Sequence, residues 1–343
     1  MTTTEPGGAD GAGRTRDGWA EAAGETGAAS REALRDVLAE LATEAVDDRL
    51  ADFDLRSTEA QVATMIEESA VAVSAVEAAG PQIAAAVDAV VARLRAGGRL
   101  IYTGAGTAGR LGVLDASEIP PTFGTDPALV VGVIAGGEAA LRNAVENAED
   151  DPELGAADLA AIGVGPGDAV VGISASGRTP YVVGALRHAA SAGALTVALA
   201  GNRGSAIGAV ADLAVEVEVG PEVVAGSTRL KAGTAQKLVL NAISTIAMVR
   251  LGKVHGNLMV EVQATNDKLR ARAERIVMLA TGVDAEAAAA ALAATDGSVK
   301  AAILVTLTGV APHLARAALE REDGVLRDAI RRVQTDPEEP DVP

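Results

Sequence analysis

The chain reads as an α/β protein: a parallel sheet flanked by helices, with a helical segment before it and a helical bundle after it. Three observations predict this. Short apolar runs recur between residues 100 and 219, separated by helical stretches, and strands of that kind are buried on both faces of a parallel sheet. Ahead of them, apolar residues from Val62 to Leu94 recur mostly at spacings of three or four, the helical period. From Asn257 the pattern is helical to about Arg332, with turns at Gly282 and Asp296-Gly297.

Residues 1–36 are Gly, Ala, Thr and charge without periodicity, and read as a disordered tail. The helical segment is drawn as 37–90, from helical patterns over 31–51 and 57–96 that Gly97-Gly98 stops. Strands are expected at 100–103, 129–134, 169–173, 195–199 and 213–219, with helices at about 107–117, 138–149, 180–192 and 204–211. A long helix runs from about Gly233 to Leu251. The α/β domain is drawn as 91–254, the C-terminal helical domain as 255–335, and 336–343 as a tail.

Composition narrows the function. Five aromatic residues in 343 leave no stacking platform for single-stranded nucleic acid. A formal charge of −18 argues against nucleic acid or an anionic membrane as partner. Without cysteine there is no disulfide, thiolate chemistry or Cys-based metal site, and His188, His255 and His313 lack metal-type spacing. No apolar stretch reaches the ~18 residues of a membrane span, and no signal pattern is evident, so a cytoplasmic protein is expected.

Two strand–loop–helix signals carry the chemistry. Leu100-Ile-Tyr-Thr-Gly104-Ala-Gly106-Thr107-Ala-Gly109 and Ala169-Val-Val-Gly-Ile-Ser174-Ala-Ser176-Gly177-Arg-Thr179 each run from an apolar strand into small and hydroxylated residues, then into a helix. Free N–H groups and hydroxyls at a helix N-terminus hold an anion, and two such loops in one sheet suggest a sugar phosphate at the carboxyl ends of the strands. The first also fits the dinucleotide pattern G-x-G-x-x-G. That pattern wants an acid ~20 residues on, whereas the acid after the next strand, Glu138, lies farther away. A tight turn without ligand, or a capping turn at the serines, is the structural alternative. Glu118 precedes Pro120-Pro121, which should end its helix and place the carboxylate near the mouth of the first loop. Glu149 falls in an acidic cluster that by itself reads as a solvated helix end. Ser227, Lys231 and Lys237 lie in a loop and helix start that either bind an anion or simply cap the helix.

Longer runs resemble one family. Gly104-Ala-Gly-Thr-Ala-Gly-Arg-Leu-Gly112, Asp115-Ala-Ser-Glu-Ile-Pro-Pro-Thr-Phe-Gly124, Ile134-Ala-Gly-Gly137, Ala148-Glu-Asp150, Ala175-Ser-Gly-Arg-Thr-Pro-Tyr181, Lys231-Ala-Gly-Thr-Ala-Gln-Lys237 and Gly256-Asn-Leu-Met259 resemble the N-acetylmuramic acid 6-phosphate etherases, over about residues 41–332. The resemblance implies a sugar isomerase (SIS) domain and cleavage of the D-lactyl ether of a small-molecule sugar phosphate. It also implies amino-sugar catabolism, no cofactor and a homodimer. It makes Glu118 the proton donor and Glu149 the second active-site glutamate. Ala108 stands where the family usually has serine, Ile119 where it has cysteine, and Asp47 where it has asparagine.

The chemistry needs two carboxyls. In the open-chain sugar the aldehyde acidifies the C2 proton. One ionised carboxylate removes it, and one protonated carboxyl assists departure of the C3 oxygen, each contributing a factor of about 10²–10⁴. Glu118 is expected as acid and Glu149 as base, with Gly106, Thr107, Ser174, Ser176, Gly177, Thr179, Ser227, Lys231 and Lys237 on the ligand and its phosphate. A phosphosugar isomerase or a non-catalytic sugar-phosphate sensor would share the fold.

Overall fold

Five parallel strands form the central sheet of the computed structural model, which describes residues 41–145, 147–262 and 266–335. They are β1 (Leu100–Gly104), β2 (Val130–Ile134), β3 (Ala169–Ser174), β4 (Leu195–Ala200) and β5 (Leu213–Glu216), in the order β2-β1-β3-β4-β5. β1, β3 and β4 are buried at every position, as their unalternating apolar sequences require. The chain leaves β1 toward one edge and returns for β3 on the other side. The two glycine- and serine-rich loops therefore follow adjacent strands, at the switch point where such sheets bind ligands.

Two helices precede the sheet, α1 (Thr58–Ala78) and α2 (Gly80–Arg95). The expected continuous helix over 57–96 is bent by 61° at this break. Pro81 has no N–H to donate and its ring crowds the preceding turn. Residues 41–51, also expected helical, form turns and a 3-10 turn, Asp48–Leu50. There the Asp47 carboxylate takes the Arg49 N–H and guanidinium, a local alternative to helix. The part of that expectation before residue 41 and both tails lie outside the described residues.

Helix α3 (Gly106–Phe123) runs straight through Pro120 and Pro121, contrary to the expected stop at 117. Each proline forfeits a hydrogen bond, but burial of Ile119 and Phe123 offsets the loss, and Gly124 in the left-handed region closes the end. The helix expected over 138–149 is cut to α4 (Ala139–Arg142). The Arg110 guanidinium takes the carbonyls of Leu141 and Asn143, and Asn147 turns the chain left-handed into a 3-10 turn, Ala148–Asp150. Helix α5 (Pro152–Ala161) is not among the expected elements, although its start is legible: Asp151 caps it and Pro152 opens it. Helix α6 (Pro180–Ser191) packs so closely on α5 that a side chain at Gly155 or Gly184 would strike the facing backbone within 2.0 Å. The expected helix over 204–211 is a 3-10 turn, Gly208–Val210, because the Glu216 carboxylate captures the N–H groups of Gly204 and Ser205.

The long helix is α7 (Lys231–Arg250), packed against α1, α2 and α3. Its buried Val239, Leu240 and Ile243 share one core with Val87 of α2 and Val171 of the sheet. A second cluster, including Leu159, Tyr181 and Leu186, covers the other sheet face. A short hairpin, β6 (Val254–His255) and β7 (Leu258–Met259), leads to α8 (Asp267–Thr281), α9 (Ala285–Ala294), α10 (Val299–Thr308), α11 (Pro312–Arg321) and α12 (Leu326–Thr335). These five helices enclose a core of their own around Val277, Ile303 and Leu304, with left-handed turns at Gly282, Asp296 and Gly297.

Candidate active site

The second loop builds itself from its own hydroxyls. Ser174, 2 % exposed at the end of β3, accepts the Gly177 N–H at 3.0 Å and lies 2.8 Å from the Thr179 hydroxyl and 3.2 Å from that of Ser176. Such a buried hydroxyl shapes the loop, while Ser176 and Thr179 are half-buried beside it. Gly177 adopts φ +72°, and a Cβ there would stand 2.5 Å from the Ser205 Cβ. From below, the Asn202 amide donates to the carbonyls of Ala175 (3.1 Å) and Ser176 (3.3 Å) and to the Thr43 hydroxyl (3.0 Å). Asn202 carries no signal in the sequence, because its partners lie 26 or more residues away.

The first loop leads into α3, whose N-terminal turn carries Gly106 and Thr107 and has no side chain of its own capping it. Its amides are thus aimed at the same end of the sheet as the second loop. Ala108 packs into the core, 6 % exposed.

The start of α7 is different. Its first amides, of Lys231 and Ala232, donate to the buried Glu222 carboxylate at 3.0 and 2.9 Å. The Lys231 ammonium, itself buried, sits 2.6 Å from Glu68 of α1. Both the helix dipole and the lysine charge are neutralised by the protein's own carboxylates. Lys231 thus has a partner within the fold, the carboxylate of Glu68. Ser227 is half-buried in the turn before this helix. Lys237, two turns on, is exposed and lines another cavity.

That cavity, of about 800 Å³, lies between α3, α7 and the β6–β7 hairpin and contains Glu118 with Asp115, Asn241 and Asn257. Asp115 has a role that only its spatial partners reveal. It is buried on the core stripe of α3, where its carboxylate accepts from Tyr102 (2.9 Å), Asn241 (2.5 Å) and Ser244 (3.1 Å). It thereby ties β1, α3 and α7 together one turn before Glu118. Burial, and then the Asp115 charge, push the Tyr102 phenol well above its ordinary range, so it stays a donor.

Glu149 lines a different and smaller cavity, of about 270 Å³, with Gly106, Arg110 and Asn147. No residue lines both cavities. Glu118 stands twelve residues after Gly106 on the same helix, about 18 Å along its axis, and not at the mouth of the first loop as the prolines had suggested. Glu149 does lie beside that loop, on a 3-10 turn rather than the last turn of a helix.

Comparison with known proteins agrees with this architecture. The model of the glucokinase regulatory protein N-terminal SIS domain matches residues 82–190, and that of the SIS domain matches residues 143–246. The N-acetylmuramic acid 6-phosphate etherase of Streptomyces avermitilis is 59 % identical over 274 residues, covering 80 % of this chain and 88 % of the relative. The one from Rubrobacter xylanophilus is 60 % identical over 270 residues, 79 % of this chain and 90 % of the relative. The chain belongs to the N-acetylmuramic acid 6-phosphate etherase family. Among solved structures, a phosphoheptose isomerase from Francisella tularensis aligns with a TM-score of 0.46 at 23 % identity, covering 57 % of this chain and 100 % of that one. Among the described residues of this etherase-family chain, no single helix is long and apolar enough to cross a membrane.

Proposed function

We infer that the chain cleaves the D-lactyl ether of N-acetylmuramic acid 6-phosphate, yielding N-acetylglucosamine 6-phosphate and D-lactate in the catabolism of cell-wall amino sugars. The observation that carries this reading is identity near 60 % across almost the whole length of etherase relatives. The two phosphate-type loops at the switch point of the sheet support it. The protein acts in the cytoplasm as a homodimer, and acid–base chemistry on an aldehyde-activated carbon calls for no cofactor.

The phosphate lies between the first turn of α3 and the second loop, held by Gly106, Thr107, Ser176 and Thr179, with Ser174 and Gly177 keeping the loop in shape. This binding, remote from the bond that breaks, fixes C2 and C3. Glu149, beside the loop, removes the C2 proton. The C3–oxygen bond breaks as the double bond forms, and Glu118 gives its proton to the departing lactate oxygen. Water then adds at C3 and a proton returns to C2, so the net reaction consumes one water.

Purified protein incubated with N-acetylmuramic acid 6-phosphate should release D-lactate and should leave fructose 6-phosphate untouched. The reverse result would make it an isomerase, and binding of both without turnover would make it a sensor. In deuterium oxide, Glu118→Ala should stop lactate release but retain exchange at C2, whereas Glu149→Ala should lose both. The opposite pattern exchanges the two roles. Ser176→Ala should raise KM more than it lowers kcat.

A further inference from the structure

We propose that Lys237 recognises the lactyl carboxylate, and so selects a sugar phosphate that carries an acid side arm over one that does not. The inference rests on the reaction proposed above and names the group that reads the leaving half of the substrate.

Glu118 gives its proton to the departing oxygen, so the lactyl group lies where Glu118 is. Within that group the carboxylate carbon is only two bonds from the ether oxygen. The residues that share the Glu118 cavity are therefore the ones the carboxylate meets. Asp115 and Glu118 already bring two carboxyl groups to this cavity, and a further anion buried beside them is costly unless a cation receives it. Among the described residues that line the cavity, Lys237 alone is cationic.

The neighbouring donors are committed, and Lys237 is not. Asn241 and Ser244 on α7 each donate to the Asp115 carboxylate. Lys231 is paired with Glu68, and Lys253 and Lys300 with Glu261. Among the described residues Lys237 has no ion-pair or hydrogen-bond partner. It is held toward the cavity by the helix that carries it: Lys237, Asn241 and Thr245 are spaced by four, share one face of α7, and all line the cavity.

The spacing along the helices suits a bridging lactyl group. Helices α3 and α7 run in the same direction, since a Cβ at Gly233 would stand 3.5 Å from the Thr107 Cγ2 while Asn241 and Ser244 reach Asp115. Lys237 lies one turn before Asn241, and Glu118 three residues after Asp115, so the two are about 10 Å apart along the helix direction. The flexible four-carbon stem of the lysine covers part of that gap and the lactyl group the rest. The ammonium takes the carboxylate and Glu118 takes the ether oxygen, each at about 2.8 Å. The phosphate is left to the two loops, whose Gly106, Thr107, Ser176 and Thr179 do not line this cavity.

The test compares two substrates in the full-length protein. One is N-acetylmuramic acid 6-phosphate, and the other is the same sugar phosphate with its lactyl carboxylate converted to the carboxamide. Wild type should prefer the acid by about 10–100-fold in kcat/KM, the worth of a hydrogen bond between charged groups. Lys237→Met should lose that preference, with the value for the acid falling by about 10–100-fold and that for the amide changing by less than about threefold. Lys237→Arg should recover part of the loss. Lys237 is exposed and unpaired, so Tm of the methionine variant should stay within about 1 °C of wild type. N-acetylglucosamine 6-phosphate, which keeps the phosphate and lacks the lactyl group, should inhibit wild type and variant equally. A wild type without preference, equal losses for acid and amide, or unchanged kinetics with the acid overturns the proposal. Weaker inhibition of the variant by N-acetylglucosamine 6-phosphate also overturns it, and assigns Lys237 to the phosphate. In each of these cases lactate release by wild type leaves the etherase reading standing. A wild type that releases no lactate from the acid ends that reading, and this inference with it.

Discussion

Replacing Lys231 by Met asks whether its ammonium serves the fold or the ligand. The ammonium stands 2.6 Å from Glu68, and the two side chains are 4 % and 9 % exposed. Arg49 also reaches Glu68, at 3.3 Å, but its side chain is 76 % exposed and such a screened contact compensates little. Methionine keeps the volume and leaves a buried carboxylate without its near partner, at a cost of about 3–5 kcal/mol. With an unfolding entropy of about 2 cal/mol/K per residue over roughly 300 residues, Tm should fall by about 5–8 °C. Adding Glu68→Leu should recover most of that loss, because exchanging a whole buried pair for apolar side chains is close to neutral. Scanning calorimetry reads Tm, and initial rates with the muramate phosphate read KM, which should change by less than about threefold in the folded variant. A Tm within about 1 °C of wild type together with a KM raised about tenfold or more would refute the reasoning, and would return Lys231 to the phosphate.

Three further outcomes follow from the geometry. Gly177→Ala meets both φ +72° and a 2.5 Å approach to Ser205, so the second loop must shift. Stability should drop by about 1–3 kcal/mol and KM should rise more than kcat falls, by calorimetry and steady-state kinetics. Asn202→Ala removes the donor beneath Ala175 and Ser176, and a urea titration should register a loss of about 1–3 kcal/mol. Asp168 concerns pH. Burial works to raise its pKa, but hydrogen bonds from the Arg99 side chain and from the Gly165 and Arg99 N–H groups prevail and hold it below the ordinary carboxylate value. A depressed folded-state pKa means that its stabilisation is complete above the unfolded value of about 3.9 and fades as pH falls through the folded value. In Asp168→Asn, stability should be lower at neutral pH and should depend less on pH across that acid window, read by thermal melts from pH 6 to pH 2.

Much of this protein is legible in its residues alone. The strands are apolar runs with no alternation, which points to a sheet covered on both faces, and all five are found, with β1, β3 and β4 buried at every position. The loops after β1 and β3 announce themselves by glycine and hydroxyl content, and the turns at Gly282 and Asp296-Gly297 by residues that tolerate left-handed backbone. What failed were elements decided by distant partners. Proline pairs end helices locally, yet α3 continues because the core beneath Ile119 and Phe123 outweighs the missing bonds. Arg110 shortened α4 by taking carbonyls more than thirty residues away, and Glu68 claimed Lys231 across 163 positions. A charge in a sequence carries no indication of what will neutralise it, since Coulombic and hydrogen-bond partners are set by packing and not by spacing along the chain. For the same reason the motifs name two glutamates and say nothing of the cavities into which each opens. That separation along α3 exists only in three dimensions, where a rigid helix holds its residues at 1.5 Å apiece.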